Sequence, residues 1–279
     1  MSVRYSAKLD VPRELVVFLS KLLGGERRRK GTRKGRRALT TFWQAVLVLR
    51  WFRDRTDTTT LARDHGVARA TGYRYIDEGI EALAAQAPDL HEALQRAKDN
   101  GDAYVLLDGK NFSSDRLGEK ITSVKGTEID RWYSGKTREQ AGNIQAVMDP
   151  KGFPLWVSDV EPGSVHDITA AEDHVLGALY WAYSQLDLPT LADGGYQGAG
   201  AGVFTPIKHP KTSKGRPLDV DNQTYNKLLR GLRALAERGF ALLTGRWRTL
   251  RHFTTSPRKI GPIVQAALVL THYEHGRLA

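Results

Sequence analysis

The stretch AYVLLDG, at residues 103–109, is a short apolar run that closes on an acid and a glycine. A run of this length and composition predicts a buried β-strand that ends at Asp108. The same pattern, a short apolar run followed by an acid and a glycine, recurs in LPTLADGGY at 188–196, where the acid is Asp193. Two such strands predict a sheet that presents both carboxylates at its open edge.

The neighbouring segments supply the rest of this sheet. The runs 142–148 and 153–159 flank Asp-Pro-Lys-Gly at 149–152, a turn sequence, and predict a β-hairpin. Apolar residues at helical spacing predict three further helices, which span residues 166–186, 221–243 and 260–273. Strands first, then helix, strand and helix, indicate an α/β fold with a mixed sheet flanked by helices.

The N-terminal part of the sequence has a different pattern of apolar and charged residues. Helical periodicity over 11–23 ends at a pair of glycines, and residues 26–37 then contain eight Lys or Arg in twelve positions. A run of like charge cannot fold on itself and predicts an exposed basic arm. Its cations would contact phosphates, although a solvated loop without a partner fits the same run. The cations are Arg27, Arg28, Arg29, Lys30, Arg33, Lys34, Arg36 and Arg37.

Three helices are expected after the arm: 41–53, a second from the Thr58–Thr60 cluster, which would cap it, and a third from about Arg69. A helix, a turn at Gly66 and a helix carrying basic residues form a helix-turn-helix pattern over about 58–83. Gly72 departs from this pattern, because an apolar residue is usual there. A plain three-helix packing unit remains the alternative. The residues expected to reach DNA are Arg69, Thr71 and Arg74.

Composition narrows the classes of function. The chain has 279 residues, of which 41% are hydrophobic, and a formal net charge of +11. Such a surplus favours a polyanionic partner, and no apolar run approaches the roughly 18 residues of a membrane span. The absence of cysteine excludes disulfides, thiolate zinc sites and cysteine nucleophiles. The N-terminus lacks the pattern of a signal peptide, so we expect a cytoplasmic, nucleoid-associated protein.

Asp108 and Asp193 are the first candidates for chemistry. Carboxylates from neighbouring strands can share a hard cation, and Mg²⁺ is usually bound by one or two carboxylates with phosphate oxygens and waters. Each Asp-Gly pair could equally begin a simple turn.

Three further polar residues have two readings each. Glu237 stands in an otherwise basic helix, either as a third metal-binding acid or as the salt-bridge partner of Arg233. Asp167, next to His166, could cap the helix that follows or act beside the metal site. Lys136, Arg138 and Arg233 are phosphate contacts or solvated charges.

Taken together, the motifs resemble a known family, the DDE-superfamily transposases of bacterial insertion sequences. The resemblance covers nearly the whole chain, and the motifs stand in the order found in that family. Departures fall in the last motif, where Arg230 and Thr244 occupy positions that hold Tyr and Lys in some relatives. The matching stretches are DGK at 108–110, residues 131–167, LADGGYQG at 191–198 and RALAERGFALLTGRWRTL at 233–250.

The resemblance implies a ribonuclease H-like fold over 101–279, behind a helical DNA-binding region at 1–100. It implies that Asp108, Asp193 and Glu237 hold two Mg²⁺ ions, or Mn²⁺ as a substitute, with His166 and Asp167 beside them. Two ions of this kind flank a scissile phosphate during cleavage. The implied activity is cleavage and strand transfer of double-stranded DNA at element ends, by a homodimer or larger assembly.

Two other classes compete with this interpretation. A DNA-binding regulator with a retired catalytic domain would share the arm and the helix-turn-helix, but it has no reason to keep three acids. A nuclease of the same fold would cleave without joining strands. A basic RNA-binding protein is not supported, since the sequence shows no aromatic motif for single strands.

Overall fold

We describe the protein from a computed structural model, which covers residues 9–115, 117–122, 126–209 and 217–278. It is a mixed α/β protein. The helices are α1 (Arg13–Arg29), α2 (Thr41–Asp54), α3 (Thr58–Asp64), α4 (Arg69–Ala84), α5 (Leu90–Asp99), α6 (Asp167–His174), α7 (Leu176–Leu186), α8 (Val220–Leu232), α9 (Ala236–Arg246) and α10 (Ile260–Glu274). The strands are β1 (Val105–Ser113), β2 (Lys120–Thr122), β3 (Glu128–Asp130), β4 (Tyr133–Ser134), β5 (Glu139–Met148), β6 (Pro154–Val157), β7 (Glu161–Pro162), β8 (Thr190–Leu191) and β9 (Val203–Phe204).

The main sheet is mixed and has β1 and β5 at its centre. These two strands are antiparallel, and β4, β6 and β7 pair with the other side of β5. On the far side of β1, β8 and then β9 are added in parallel. The predicted hairpin is confirmed as β5 and β6. This order places the strand that precedes Asp193 directly beside the strand that carries Asp108.

The two faces of β1 pack against different elements, because successive side chains of a strand point to opposite faces. Val105 and Leu107 belong to a buried cluster with residues of α5 and α7. Phe112 lies on the other face and contacts the ring of Phe240 in α9, 5.8 Å away between centroids. Asp108 has the same parity as Phe112 and therefore shares the α9 face.

The turn between β5 and β6 is tightly packed. Gly152 has a φ of +74°, a conformation that side chains other than glycine rarely adopt. A Cβ built there would clash with the backbone carbonyl of Leu235, just before α9. The turn therefore supports the segment that leads into α9.

By internal contacts the chain divides into two units. The first is 1–87 with 243–251 and 262–279, and the second is 88–242 with 252–261. The division by contacts lies near residue 87, and two C-terminal stretches belong to the same unit as the N-terminal residues. They do so through buried residues such as Trp247, whose indole N–H donates to Thr271 Oγ1 at 2.9 Å and whose ring contacts Phe52. The DNA-binding and catalytic roles of 1–100 and 101–279 stay a prediction.

Several helix boundaries differ from the expected ones. Helix α1 does not end at Gly24 and Gly25 but continues to Arg29, so the first part of the basic arm is helical. The helix expected over 166–186 is broken at Val175 into α6 and α7. The helix expected over 221–243 is interrupted by a 3-10 turn at Arg233–Leu235. These breaks depend on tertiary packing, which overrides helical propensity.

Helix α3 begins differently from the prediction as well. Its cap is Asp57, whose side chain accepts the N–H groups of Thr59 and Thr60, so the threonine cluster forms the first turn. Gly72 packs α4 closely on α3, because a Cβ there would lie 3.2 Å from both Ala62 and Thr58 side chains. The missing side chain at 72 is therefore a packing requirement.

No helix in the described ranges combines the length and the apolar character that crossing a membrane needs.

Candidate active site

Asp108 lies within β1, and β1 continues beyond it. Residues Asp108 to Ser113 pair with Ala146 to Ala141 of β5. The expectation that Asp108 ends its strand is therefore wrong, and Asp108-Gly109 is not a turn. The strand continues because β5 offers a full row of hydrogen-bonding partners, which a local reading of β1 does not show.

Asp193 follows β8 as predicted. Leu191 of β8 pairs with Leu106 of β1, so Asp193 follows the strand next to the one that carries Asp108. The Asp193 carboxylate accepts the N–H of Gly195 at 2.7 Å and starts a 3-10 turn that ends at Tyr196. This bond holds the carboxylate in place beside β1.

The charge of Asp108 is poorly solvated. Burial, with a smaller contribution from the nearby Asp193, raises its pKa to about 6, although Arg233 and Lys136 act in the opposite direction. The ionised form of an acid with this pKa is stabilised by a strong positive charge close by. The structure supplies two protein cations, and a divalent ion would act in the same direction.

Asp167 belongs to the same region. It is the first residue of α6 and not its cap, which is His166, an exposed residue whose side chain makes no capping bond. The Asp167 carboxylate instead accepts from Lys136 Nζ and from Asn143 Nδ2, both at 2.9 Å. Burial lowers the pKa of Lys136 more than any single neighbour raises it, but Asp167, Asp193 and Asp108 together raise this pKa above its ordinary value. We call these three acids the carboxylate centre.

A buried hydrogen-bonded chain runs beside the carboxylate centre. The Tyr196 hydroxyl donates to Gln145 Oε1 at 2.5 Å, and Gln145 Nε2 donates to Asn143 Oδ1 at 2.9 Å. Asn143 Nδ2 then reaches Asp167. We refer to Tyr196, Gln145, Asn143 and Asp167 as the polar chain.

Arg233 lies in the 3-10 turn before α9, and Glu237 lies in α9. Arg233 is half-buried, and its charge lowers the pKa of Asp108. The Arg233 Nε atom is buried and has no hydrogen-bond partner among the described residues. Glu237, one turn later, lies exposed in the first turn of α9. Helix α9 itself covers the sheet face that carries Asp108.

No three His, Cys, Asp or Glu residues form a group that could hold a metal ion within ranges 9–115, 117–122, 126–209 and 217–278. Glu237 is thus not brought into such a group with Asp108 and Asp193, and its role as third ligand stays a prediction. The Asp108–Asp193 pair does fit the chemistry of Mg²⁺, which needs only one or two carboxylates when phosphate and waters complete the shell.

The cations of the basic arm differ in their availability. Arg27 donates to the Leu39 carbonyl and to Gln44 Oε1, and Arg37 pairs with Glu78 at 2.7 Å. Both side chains are therefore engaged within the N-terminal unit. Arg29 pairs with Glu26 at the surface. The arm residues that are exposed are Arg28, Arg29, Lys30, Arg33, Lys34 and Arg36.

Helix α4 presents its basic residues outward. Arg69 and Arg74 are exposed and Thr71 is half-buried. Arg69 also stacks on the exposed ring of Tyr73, with the guanidinium carbon 5.6 Å from the ring centroid. This face is free for a partner in the described structure, but its use as a recognition helix stays a prediction.

Sequence reasoning missed three residues of this region: Asn143, Gln145 and Tyr196. A signal for the first two was present, since they alternate with Ile144 and Ala146 along a buried strand. Polar residues at every second position of such a strand require partners. Tyr196 carried no comparable signal.

Comparison with known proteins identifies the family. A family model described as DDE superfamily endonuclease matches residues 118–272, which is more than half of the chain. The chain belongs to the DDE superfamily of endonucleases. The match includes Asp167, Asp193 and Glu237 and begins after Asp108. Neither the curated proteins nor the solved structures contain a significant match to this chain.

Membership gives the DDE endonuclease a nuclease-type activity on DNA, and enzymes of this type generally use divalent metals. The curled mixed sheet with its flanking helices is consistent with the fold of such nucleases.

Proposed function

We propose that this DDE endonuclease is a transposase, which cleaves DNA at the ends of an insertion sequence and transfers the strands, with a ribonuclease H-like catalytic fold. The observation that carries the proposal is the juxtaposition of Asp108 and Asp193. Asp193 follows the strand that neighbours the Asp108 strand, and each acid acts electrostatically on a third group, Lys136.

Asp108 and Asp193 would hold the divalent ions, Mg²⁺ or Mn²⁺, with Glu237 as the third ligand. Bound there, such ions activate the attacking oxygen and stabilise the leaving oxygen of a phosphodiester. Support for Glu237 comes from α9, which packs on the sheet face of Asp108 through Phe240. Glu237 precedes Phe240 by three residues and therefore lies on the same side of α9.

Protein cations would position the substrate. Arg233 carries a buried Nε–H that lacks a partner in the described structure, and a buried donor of this kind is costly unless it binds an acceptor. A phosphate oxygen of DNA would satisfy it. Lys136 has a largely exposed side chain that is anchored at Asp167.

The N-terminal unit would bind double-stranded DNA. The exposed arm cations would neutralise backbone phosphates, and Arg69, Thr71 and Arg74 of α4 would enter a groove as in a helix-turn-helix. Two element ends have to be cut for transposition, and this favours a homodimer or a larger assembly on DNA. In the cell such a protein would be cytoplasmic and associated with the nucleoid.

The test is cleavage of a DNA duplex that carries one element end, in Mg²⁺ and in EDTA. Wild type should cleave only with the metal, and Asp108→Asn and Asp193→Asn should each abolish cleavage. Asp173→Asn, an exposed acid of α6, is the matched control and should cleave normally. Equal cleavage by wild type and Asp193→Asn would contradict the site. Cleavage without joining in a strand-transfer assay would indicate a nuclease rather than a transposase.

A further inference from the structure

The polar chain crosses β1 at Gly109. Tyr196 belongs to the turn after β8, on one side of β1, and Gln145 belongs to β5, on the other side. Gln145 is also the register partner of Gly109. A hydrogen bond between Tyr196 and Gln145 therefore spans the strand that carries Asp108.

Gly109 makes this crossing possible. A Cβ at this position would lie 2.7 Å from Gln145 Nε2, 2.8 Å from the Tyr196 hydroxyl and 2.9 Å from Asp167 Oδ1. Three polar side chains thus fill the space that a side chain at 109 would need. The glycine beside the first acid is explained by the protein's own polar chain.

Both ends of the chain are connected to the carboxylate centre. At one end, the turn of Tyr196 begins at Asp193, whose carboxylate is held by the Gly195 N–H. At the other end, Asn143 binds Asp167, which also accepts from Lys136. Moving Tyr196 would therefore move the turn of Asp193 relative to β1.

We propose that Gln145 and Tyr196 are positioning residues, which lock the Asp193 turn across β1 and so set the separation of the Asp108 and Asp193 carboxylates. The inference rests on the proposed function in one respect, namely that this separation of the two carboxylates serves to receive divalent ions. The lock itself is a property of the metal-free protein.

The chain is suited to this role because its central side chains are buried and hydrogen-bonded to each other. Tyr196 and Gln145 are buried, with 1% and 0% of their surface exposed. The pKa of Tyr196 lies well above that of a free tyrosine because of its burial and the nearby acids, so it remains a hydrogen-bond donor. A hydrogen bond between two groups that are buried away from solvent has a fixed geometry.

The decisive variant is Tyr196→Phe, which removes only the hydroxyl. Its matched control is Tyr225→Phe, which removes a hydroxyl that donates to the Thr205 carbonyl at 3.3 Å. We expect Tyr196→Phe to bind Mn²⁺ about tenfold more weakly in the absence of DNA, as measured by calorimetry, because partners that orient metal ligands contribute on this scale. It should also lower kcat with little change in the Kd for DNA. Tyr225→Phe should match wild type.

A second control separates positioning from stability. Leu94→Ala empties part of the buried cluster of α5 and should lower the thermal midpoint at least as much as Tyr196→Phe. Below its midpoint it should retain wild-type Mn²⁺ affinity. Equal weakening of Mn²⁺ binding in both variants would assign Tyr196 a merely structural role and overturn the inference.

Hydrogen–deuterium exchange tests the lock without metal or DNA. In Tyr196→Phe, a peptide covering 193–197 should exchange faster than in wild type, while peptides of α5 should not change. Unchanged exchange would overturn the inference even if the enzyme is a transposase. Faster exchange in a protein that binds no Mn²⁺ would support the lock and contradict the proposed function, so the two failures are distinguishable.

Discussion

Lys136 Nζ lies 2.9 Å from Asp167 Oδ2, and the same ammonium group interacts electrostatically with Asp108 and Asp193. One exposed lysine therefore interacts with three acids. The arrangement leaves the ammonium anchored but still accessible, as a group that meets a phosphate needs to be.

Replacement of this lysine should weaken DNA binding. In Lys136→Met the loss of one phosphate contact should reduce the slope of log K against log salt by about 1. Fluorescence anisotropy over a series of salt concentrations measures this slope. Lys98→Met, which removes a lysine bonded to the Asp187 carbonyl, serves as control. Identical slopes for wild type and Lys136→Met would exclude a phosphate contact.

The raised pKa of Asp108 predicts a pH-dependent stability. Its value is 3.8 for a free group and about 6 in the fold, so the folded state holds the proton more tightly than the unfolded state. The resulting stabilisation is present below pH 4 and is lost as the pH rises through about 6. Between these limits, metal-free wild type should lose about 3 kcal/mol of unfolding free energy relative to Asp108→Asn.

Urea denaturation in EDTA at several pH values measures this difference. Asp173→Asn is the control, since an exposed acid should leave the wild-type profile unchanged. Parallel profiles for wild type and Asp108→Asn would show that Asp108 titrates normally.

Gly109→Ala should destabilise the protein by about 1–3 kcal/mol, because an added methyl group would force the polar chain apart. Gly177→Ala is the matched control in helix α7, where an added Cβ meets nothing within 4 Å. That substitution should stabilise by up to about 1 kcal/mol through helix propensity. Thermal and urea unfolding report both. A neutral Gly109→Ala would mean that the polar chain tolerates displacement.

The arm cations should separate into two groups. The triple variant Arg33→Ala, Lys34→Ala, Arg36→Ala should leave the thermal midpoint unchanged and reduce the salt slope of DNA binding by roughly 3. Arg37→Ala should lower the midpoint instead, because it leaves Glu78 without its half-buried partner. If the triple variant bound DNA like wild type, the arm would not be a phosphate-binding segment.

The local sequence pattern predicts the fold where burial of one face of a helix or strand determines its structure. The hairpin of β5 and β6, helix α2 and the strand before Asp193 agree with expectation. Asp108-Gly109 was misread as a strand end because Asp-Gly favours turns locally, whereas pairing with β5 decides the outcome. The break at Val175 likewise has no proline to mark it, and the nearby Gly177 lies within α7.

Within the candidate site, sequence pattern and resemblance placed Asp108 and Asp193 on neighbouring strands. They could not reveal the bond between Tyr196 and Gln145, because these residues meet only after β1 is inserted between their strands. For the same reason the sequence left Asp167 with two interpretations, a helix cap or a residue beside the metal site. Its partners, Lys136 and Asn143, come from other elements.

The turn at Gly152 has a practical consequence for labelling this protein. In the sequence, Asp-Pro-Lys-Gly resembles an accessible hairpin loop, the usual choice for inserting an epitope or a fluorophore site. Its close contact with the Leu235 carbonyl removes that freedom. An insertion there would displace the chain near Arg233, so a reporter attached at this loop would itself disturb the chemistry it was meant to follow.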